Sequence, residues 1–133
     1  MKFFFLLILA ILTSGCEPFV KTFPDISQPI MYKAEYLQNS EYSAKPVKVV
    51  TWNIRFGSGR LEWFLDSCGE RALADYDSAE IIIQNIADTL NSINADIVLL
   101  QEVDIQSKRS GYLDQGQFLL DHTYLNYGAY ASM

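Results

Sequence analysis

The chain has 133 residues and a mass of 15.1 kDa, room for one domain of ordinary size or part of one, and not for two. Half of the residues are hydrophobic and 14% aromatic against 20% charged, which excludes disorder as a description of the whole chain. The 10 basic and 16 acidic side chains give a formal charge of −6; that excludes a module holding nucleic acid by basic surface alone and leaves a polyanion substrate only where metal ions supply positive charge. Two cysteines, Cys16 and Cys68, and a single histidine, His122, provide no disulfide framework and no His-rich zinc centre, and they speak against a serine–histidine triad.

Lys2, the unbroken apolar run Phe3 to Leu12 and the small residues Thr13, Ser14 and Gly15 before Cys16 read as a signal peptide. The run is far shorter than the roughly 20 residues needed to span a bilayer. Leu12-Thr13-Ser14-Gly15-Cys16 resembles a bacterial lipobox, with Thr13 standing where Leu is usual. The resemblance implies that Cys16 becomes a lipidated N-terminus, so residues 1–16 direct export to a membrane-anchored periplasmic or cell-surface form. The other reading is a secreted protein cleaved nearby. Residues 17–46 hold all four prolines, Pro18, Pro24, Pro29 and Pro46, without sustained periodicity, and are expected to form a tether; Tyr32, Tyr36 and Tyr42 are candidates to pack onto the domain.

The domain itself is expected over residues 47–133. Val47 to Asn53 is β-branched and aromatic and reads as a strand. Asp77-Ser78 introduce a helical pattern with Glu80 in its first turn and Ile82, Ile86, Leu90 and Ile93 on one face. Asn94-Ala95-Asp96 breaks it, and Ile97 to Leu100, apolar throughout, reads as a strand covered on both faces. Strand, helix, strand predicts a parallel crossover unit whose strand ends, Asn53 and Glu102, emerge at one edge. Tyr112 to about Leu125 is weakly helical with an interruption at Gly116, and Tyr127 to Ala131 reads as another strand. With no closing turn or cap after it, the sheet would keep an open edge, so the sequence is expected to be truncated.

Thr51-Trp52-Asn53-Ile54-Arg55-Phe56-Gly57 and Ala95-Asp96-Ile97-Val98-Leu99-Leu100-Gln101-Glu102-Val103-Asp104 resemble the first two motifs of the endonuclease/exonuclease/phosphatase superfamily. The resemblance covers about Val47 to Ala131. Ser107-Lys108-Arg109-Ser110 and Asp114-Gln115 look like exported bacterial members, and the stretch from Phe56 through Arg60, Asp66, Cys68, Gly69 and Arg71 looks like a subgroup's loop insertion. The resemblance implies an α/β fold, the N-terminal part of a four-layer α-β-β-α sandwich like that of deoxyribonuclease I. It further implies that Asn53 and Glu102 help to hold a divalent cation, Mg²⁺ with Mn²⁺ or Ca²⁺ as substitutes, beside the scissile phosphate. A half-site of one carboxylate and one amide oxygen suits Mg²⁺, which takes about six oxygens and retains several waters.

Arg109 is a candidate for a substrate phosphate or, on a bland reading, for pairing with Asp104 or Asp114. His122 is read as structural, because the family's general base belongs to a later Asp-His motif; no catalytic residue is identifiable in this stretch. Cys68 is read as a free thiol or packing residue, and Trp52, Trp63 and the tyrosines as packing. The function implied is metal-dependent hydrolysis of a phosphodiester or phosphate ester in nucleic acid, phospholipid or inositol phosphate, with no protein partner expected. The alternative is an exported binding module on the same scaffold without chemistry.

Overall fold

The computed structural model describes residues 28–39, 46–60 and 73–131. The expected signal peptide with Cys16, and the loop residues Trp63, Asp66, Cys68, Gly69 and Arg71, lie outside the described residues. The described chain is mixed α/β, with strands β1 (Ile30–Lys33), β2 (Val49–Asn53), β3 (Ile97–Gln101) and β4 (Tyr127–Tyr130) and helices α1 (Tyr76–Ile93) and α2 (Gln115–Asp121). A single 3-10 turn, Arg55–Gly57, follows β2.

Strands β2 and β3 pair in parallel, Val49 opposite Ile97 through Asn53 opposite Gln101, with α1 between them in sequence. The pairing is anchored at its start, where the Lys48 N–H donates to Asp96 Oδ2 at 2.7 Å and the Asp96 N–H donates to the Lys48 carbonyl at 2.8 Å. These bonds occupy Lys48, so the strand begins at Val49 and not at Val47. Helix α1 starts at Tyr76 because Asp75, in extended backbone, caps it: Asp75 Oδ1 accepts from the Ser78 N–H at 2.9 Å. Asp77 and Ser78, expected to precede the helix, therefore lie in its first turn. Asn94, left-handed at φ 50°, ends the helix.

Ala79, Ile83, Ile86, Ala87 and Leu90 form the buried face of α1. Ile83, not the half-buried Ile82, lies at its centre. Together with Ile54, Leu113 and Leu119 they make the core against which Trp52, Val98 and Leu100 pack, and full burial of a side chain of this size contributes roughly 1.5–3 kcal/mol. The expectation that Ile97 to Leu100 is covered on both faces is overturned: Ile97 and Leu99 are 48% and 53% exposed. Helix α1 covers one face of the β2–β3 pair, and both strands show the exposed and half-buried alternation that one-sided cover produces.

Part of the expected tether is ordered. Ile30–Lys33 pairs antiparallel with β4, Ile30 opposite Tyr130, and α2 packs against both strands. Asp114 caps α2, its Oδ1 accepting from the Gln117 N–H at 3.0 Å. The helix covers only part of the expected span, and Gly116 sits inside it. A Cβ at Gly116 would lie 3.3 Å from Ile105 Cδ1 and 3.6 Å from Tyr32 Cζ, so the glycine permits close approach to β1 and does not interrupt the helix.

Candidate functional site

Parallel pairing brings the ends of β2 and β3 to one edge, and the residues singled out in the sequence meet there. Asn53 Nδ2 donates to Glu102 Oε1 at 2.7 Å, while Asn53 Oδ1 accepts from the Arg55 N–H at 2.9 Å. Both side chains are exposed. The amide thus turns its nitrogen, not its oxygen, toward the carboxylate. It orients Glu102 and retains one lone pair on Oδ1, while Glu102 keeps Oε2 and the remaining lone pairs of Oε1.

The backbone beneath this pair is unusual. Arg55, Phe56 and Glu102 have φ of 50°, 57° and 56°, a left-handed conformation costing roughly 1–2 kcal/mol for a residue with a Cβ. Gly57 continues the left-handed run at φ 63°, and a Cβ there would lie 2.6 Å from Ile83 Cδ1, so only glycine fits between the turn and α1. The conformations are held by hydrogen bonds across the two loops: the Ile54 N–H donates to the Gln101 carbonyl at 3.0 Å and the Phe56 N–H to the Glu102 carbonyl at 2.8 Å. Strain of this kind persists where the surroundings over-determine it, and it concentrates at ligand-binding sites.

Arg109 pairs with Asp104. Its Nε and Nη2 donate to the two carboxylate oxygens at 2.8 and 2.7 Å, and its guanidinium lies 3.4 Å from the centroid of the Phe56 ring. Asp104 is 5% exposed, whereas the Arg109 side chain is 44% exposed. The hydrogen bonds to Asp104 are the main reason that the guanidinium holds its proton more tightly than usual. The charges of Asp104 and Glu102 add to the effect and burial opposes it. Arg109, Glu102, Asp104, Phe56, Tyr32 and Tyr130 share a groove of about 620 Å³ between β3 and β4. Nη1 of Arg109 is left outside the ion pair, on the residue that lines this groove with Glu102.

His122 caps α2 at the end opposite Gln115. Its Nδ1 lies 2.8 Å from the Phe118 carbonyl and its ring stacks on Phe118 at 3.9 Å, while the Asn91 amide binds its carbonyl at 2.9 Å. The Asn91 bond joins the end of α2 to α1.

The donors at the strand ends are hard oxygens, the set that suits Mg²⁺ or Ca²⁺. Glu102 would supply the charge of such a site, while the amide oxygen of Asn53, turned to the Arg55 N–H, would offer its remaining lone pair. Among the described residues no group of three or more His, Cys, Asp or Glu side chains is placed to hold a metal, and the nearby Asp104 is neutralised by Arg109. Sequence reasoning missed Gln115 as a site-building residue. The Asp-Gln pair stands in the resembling run, but nothing local to it signals that the side chain is buried between two loops. No protein-family model matches the chain, and no curated protein or solved structure matches it either.

Proposed function

We propose that this chain carries the first part of the catalytic site of an exported, metal-dependent phosphoric ester hydrolase. On this reading it belongs to the endonuclease/exonuclease/phosphatase superfamily, with the described elements forming part of its four-layer sandwich and Cys16 as its lipid anchor. The observation that carries the reading is the contact between Asn53 and Glu102, 49 residues apart, at the ends of adjacent parallel strands, on backbone held left-handed at Glu102. Gln106 and Tyr112 are left-handed as well, so what favours a cation site is the exposed carboxylate held beside an amide where the two strands end.

In the mechanism proposed, Glu102 and Asn53 would hold a divalent cation, which when bound would supply polarisation of a phosphoryl oxygen and stabilisation of charge on the leaving oxygen. Asn53 fixes the rotamer of Glu102 through its Nδ2–H, and the Arg55 N–H fixes Asn53 in turn. Arg109, held flat by Asp104 and Phe56, offers Nη1 to a non-bridging phosphate oxygen in the groove, which limits rotation of the ester and adds positive charge. An acidic chain can hold an anionic substrate in this way, nucleic acid, phospholipid and inositol phosphate being the substrate classes. The remaining cation ligands and the water-activating base come from outside the described residues.

A second reading, a binding module on the same scaffold, is favoured by one observation: the ring of His122 is engaged by Phe118, so no histidine here is placed to activate water. Amide signals in a Mn²⁺ titration followed by nuclear magnetic resonance test the cation site common to both. Broadening centred on Asn53 and Glu102 and lost in Glu102→Gln supports it; broadening spread over the acidic surface and unchanged by that substitution contradicts it. Hydrolysis then separates enzyme from binding module.

A further inference from the structure

We infer that Gln115 is a positioning residue for the cation site, the clamp that holds the Asn53 loop and the Glu102 loop in register; the inference rests on the cation-site reading above. Gln115 is the first residue of α2 and is fully buried, with 0% exposure. A buried primary amide must place both a donor and an acceptor, and this one places them on different loops. Its Oε1 accepts from the Asp104 N–H at 2.9 Å, and its Nε2 donates to the Phe56 carbonyl at 2.7 Å. Its own N–H donates to the Asp104 carbonyl at 3.2 Å, so Asp104 is gripped at both its backbone groups by one residue.

These bonds close a ring. Phe56 donates its N–H to the Glu102 carbonyl and gives its own carbonyl to Gln115; Gln115 accepts from Asp104, two residues beyond Glu102. Two of the left-handed residues, Phe56 and Glu102, lie on this ring. Every partner of the Gln115 side chain is a backbone group flanking the Asn53–Glu102 contact, and none is a group of the core. Without the clamp, the Phe56 carbonyl and the Asp104 N–H lose their partners, and the left-handed conformations lose part of what holds them. The expected result is a Glu102 carboxylate that no longer stands opposite Asn53.

The test compares Mn²⁺ affinity, read from loss of the free-ion electron paramagnetic resonance signal, with thermal stability in the wild-type chain and in Gln115→Met, Ile86→Ala and Glu102→Gln. Gln115→Met keeps the length of the side chain and removes both hydrogen bonds. Ile86→Ala weakens the core cluster while removing no hydrogen bond of either loop, and so measures what lost packing stability does by itself. Outer-shell partners of a metal ligand typically tune affinity by about 10–100-fold; Gln115→Met is expected to weaken Mn²⁺ about tenfold while Ile86→Ala stays within about twofold of wild type. Wild-type affinity in Gln115→Met, or an equal loss in Ile86→Ala, overturns the inference. Binding that depends on Glu102 but ignores Gln115 removes the inference alone, and binding that ignores Glu102 removes the cation-site reading with it. Should Gln115→Met fail to fold, Gln115→Ala removes both hydrogen bonds and leaves room for water at the two loops, and the same outcomes apply to it.

Discussion

Asn53 and Glu102 are joined by a 2.7 Å hydrogen bond in which the amide nitrogen donates and the carboxylate accepts. The donor's identity matters, because an amide that spends its nitrogen on Glu102 and its oxygen on the Arg55 N–H acts first to aim the carboxylate. Asn53→Asp replaces that donor with a second anion. Without cation the two carboxylates repel and stability falls, by about 0.5–1.5 kcal/mol for the hydrogen bond lost; with saturating Mg²⁺ the loss is reversed, since the variant offers one more anionic ligand. Thermal melts with and without Mg²⁺ check this, and a variant indifferent to Mg²⁺ would count against a shared cation.

The Asp104–Arg109 pair is one-sidedly buried, so its two members respond differently. Arg109→Ala leaves the carboxylate of Asp104 in the protein with no counter-charge and is expected to cost about 1–3 kcal/mol, less than a fully buried pair because Arg109 faces solvent. Arg109→Lys recovers the charge but neither the fork geometry nor the stacking on Phe56. Urea denaturation orders the three proteins as wild type, Arg109→Lys, Arg109→Ala. Equal stabilities would mean that Asp104 does not depend on Arg109.

Tyr32 ties β1 to the cap of α2, its hydroxyl donating to Asp114 Oδ2 at 3.3 Å. Burial first, and the Asp114 carboxylate second, raise the phenol above its ordinary value of 10.0. A raised value means that the folded state holds the proton more tightly, so the stabilisation is complete below the unfolded value and is lost as pH climbs through the folded one. Tyr124, whose hydroxyl donates to the Ala95 carbonyl at 2.7 Å, is also raised, chiefly by burial. Stability is therefore expected to decline above about pH 10, and Tyr32→Phe to make that decline shallower. A slope unchanged in Tyr32→Phe would refute the coupling.

His122→Ala is expected to leave hydrolysis unchanged and to cost about 0.5–1.5 kcal/mol from the lost stacking on Phe118. Activity assays beside thermal melts decide it. A hundredfold loss of turnover with an intact fold would make His122 part of the chemistry.

The central part of this fold was legible because its signals are local. The β-branched run before Asn53, the spacing of Ile86, Leu90 and Ile93, and the break at Asn94 each lie within a few residues of what they specify, and parallel pairing then follows from one helix between two strands. Pairing at a distance left no such mark. Ile30–Lys33 shows no alternation to announce a strand, and it becomes one by pairing with residues near Tyr130. The exposure of Ile97 and Leu99 depends on which layers cover the sheet, and composition cannot count layers. Gln115 was invisible as a clamp for the same reason: a glutamine after a helix cap looks solvated until Phe56 and Asp104 are brought to its two ends.

Cys16→Ser tests the proposed anchor independently of the site. Acyl chains supply the membrane affinity, so the variant is expected in the soluble fraction, and continued sedimentation with membranes would exclude lipidation as the anchor.

The central claim is that Glu102 holds a divalent cation used in phosphoric ester hydrolysis. The most direct measurement is hydrolysis of a chromogenic phosphodiester and of DNA by the protein, wild type against Glu102→Gln, with Mg²⁺ or with chelator. Loss of an electrostatic stabiliser of the transition state typically lowers turnover by about 10²–10³-fold, and the exposed position of Glu102 keeps the change in stability within about 0.5 kcal/mol. Mg²⁺-dependent, chelator-sensitive activity is expected to fall by at least two orders of magnitude in a folded Glu102→Gln protein; near-normal, chelator-resistant hydrolysis by that variant would exclude Glu102 as a ligand of a catalytic cation.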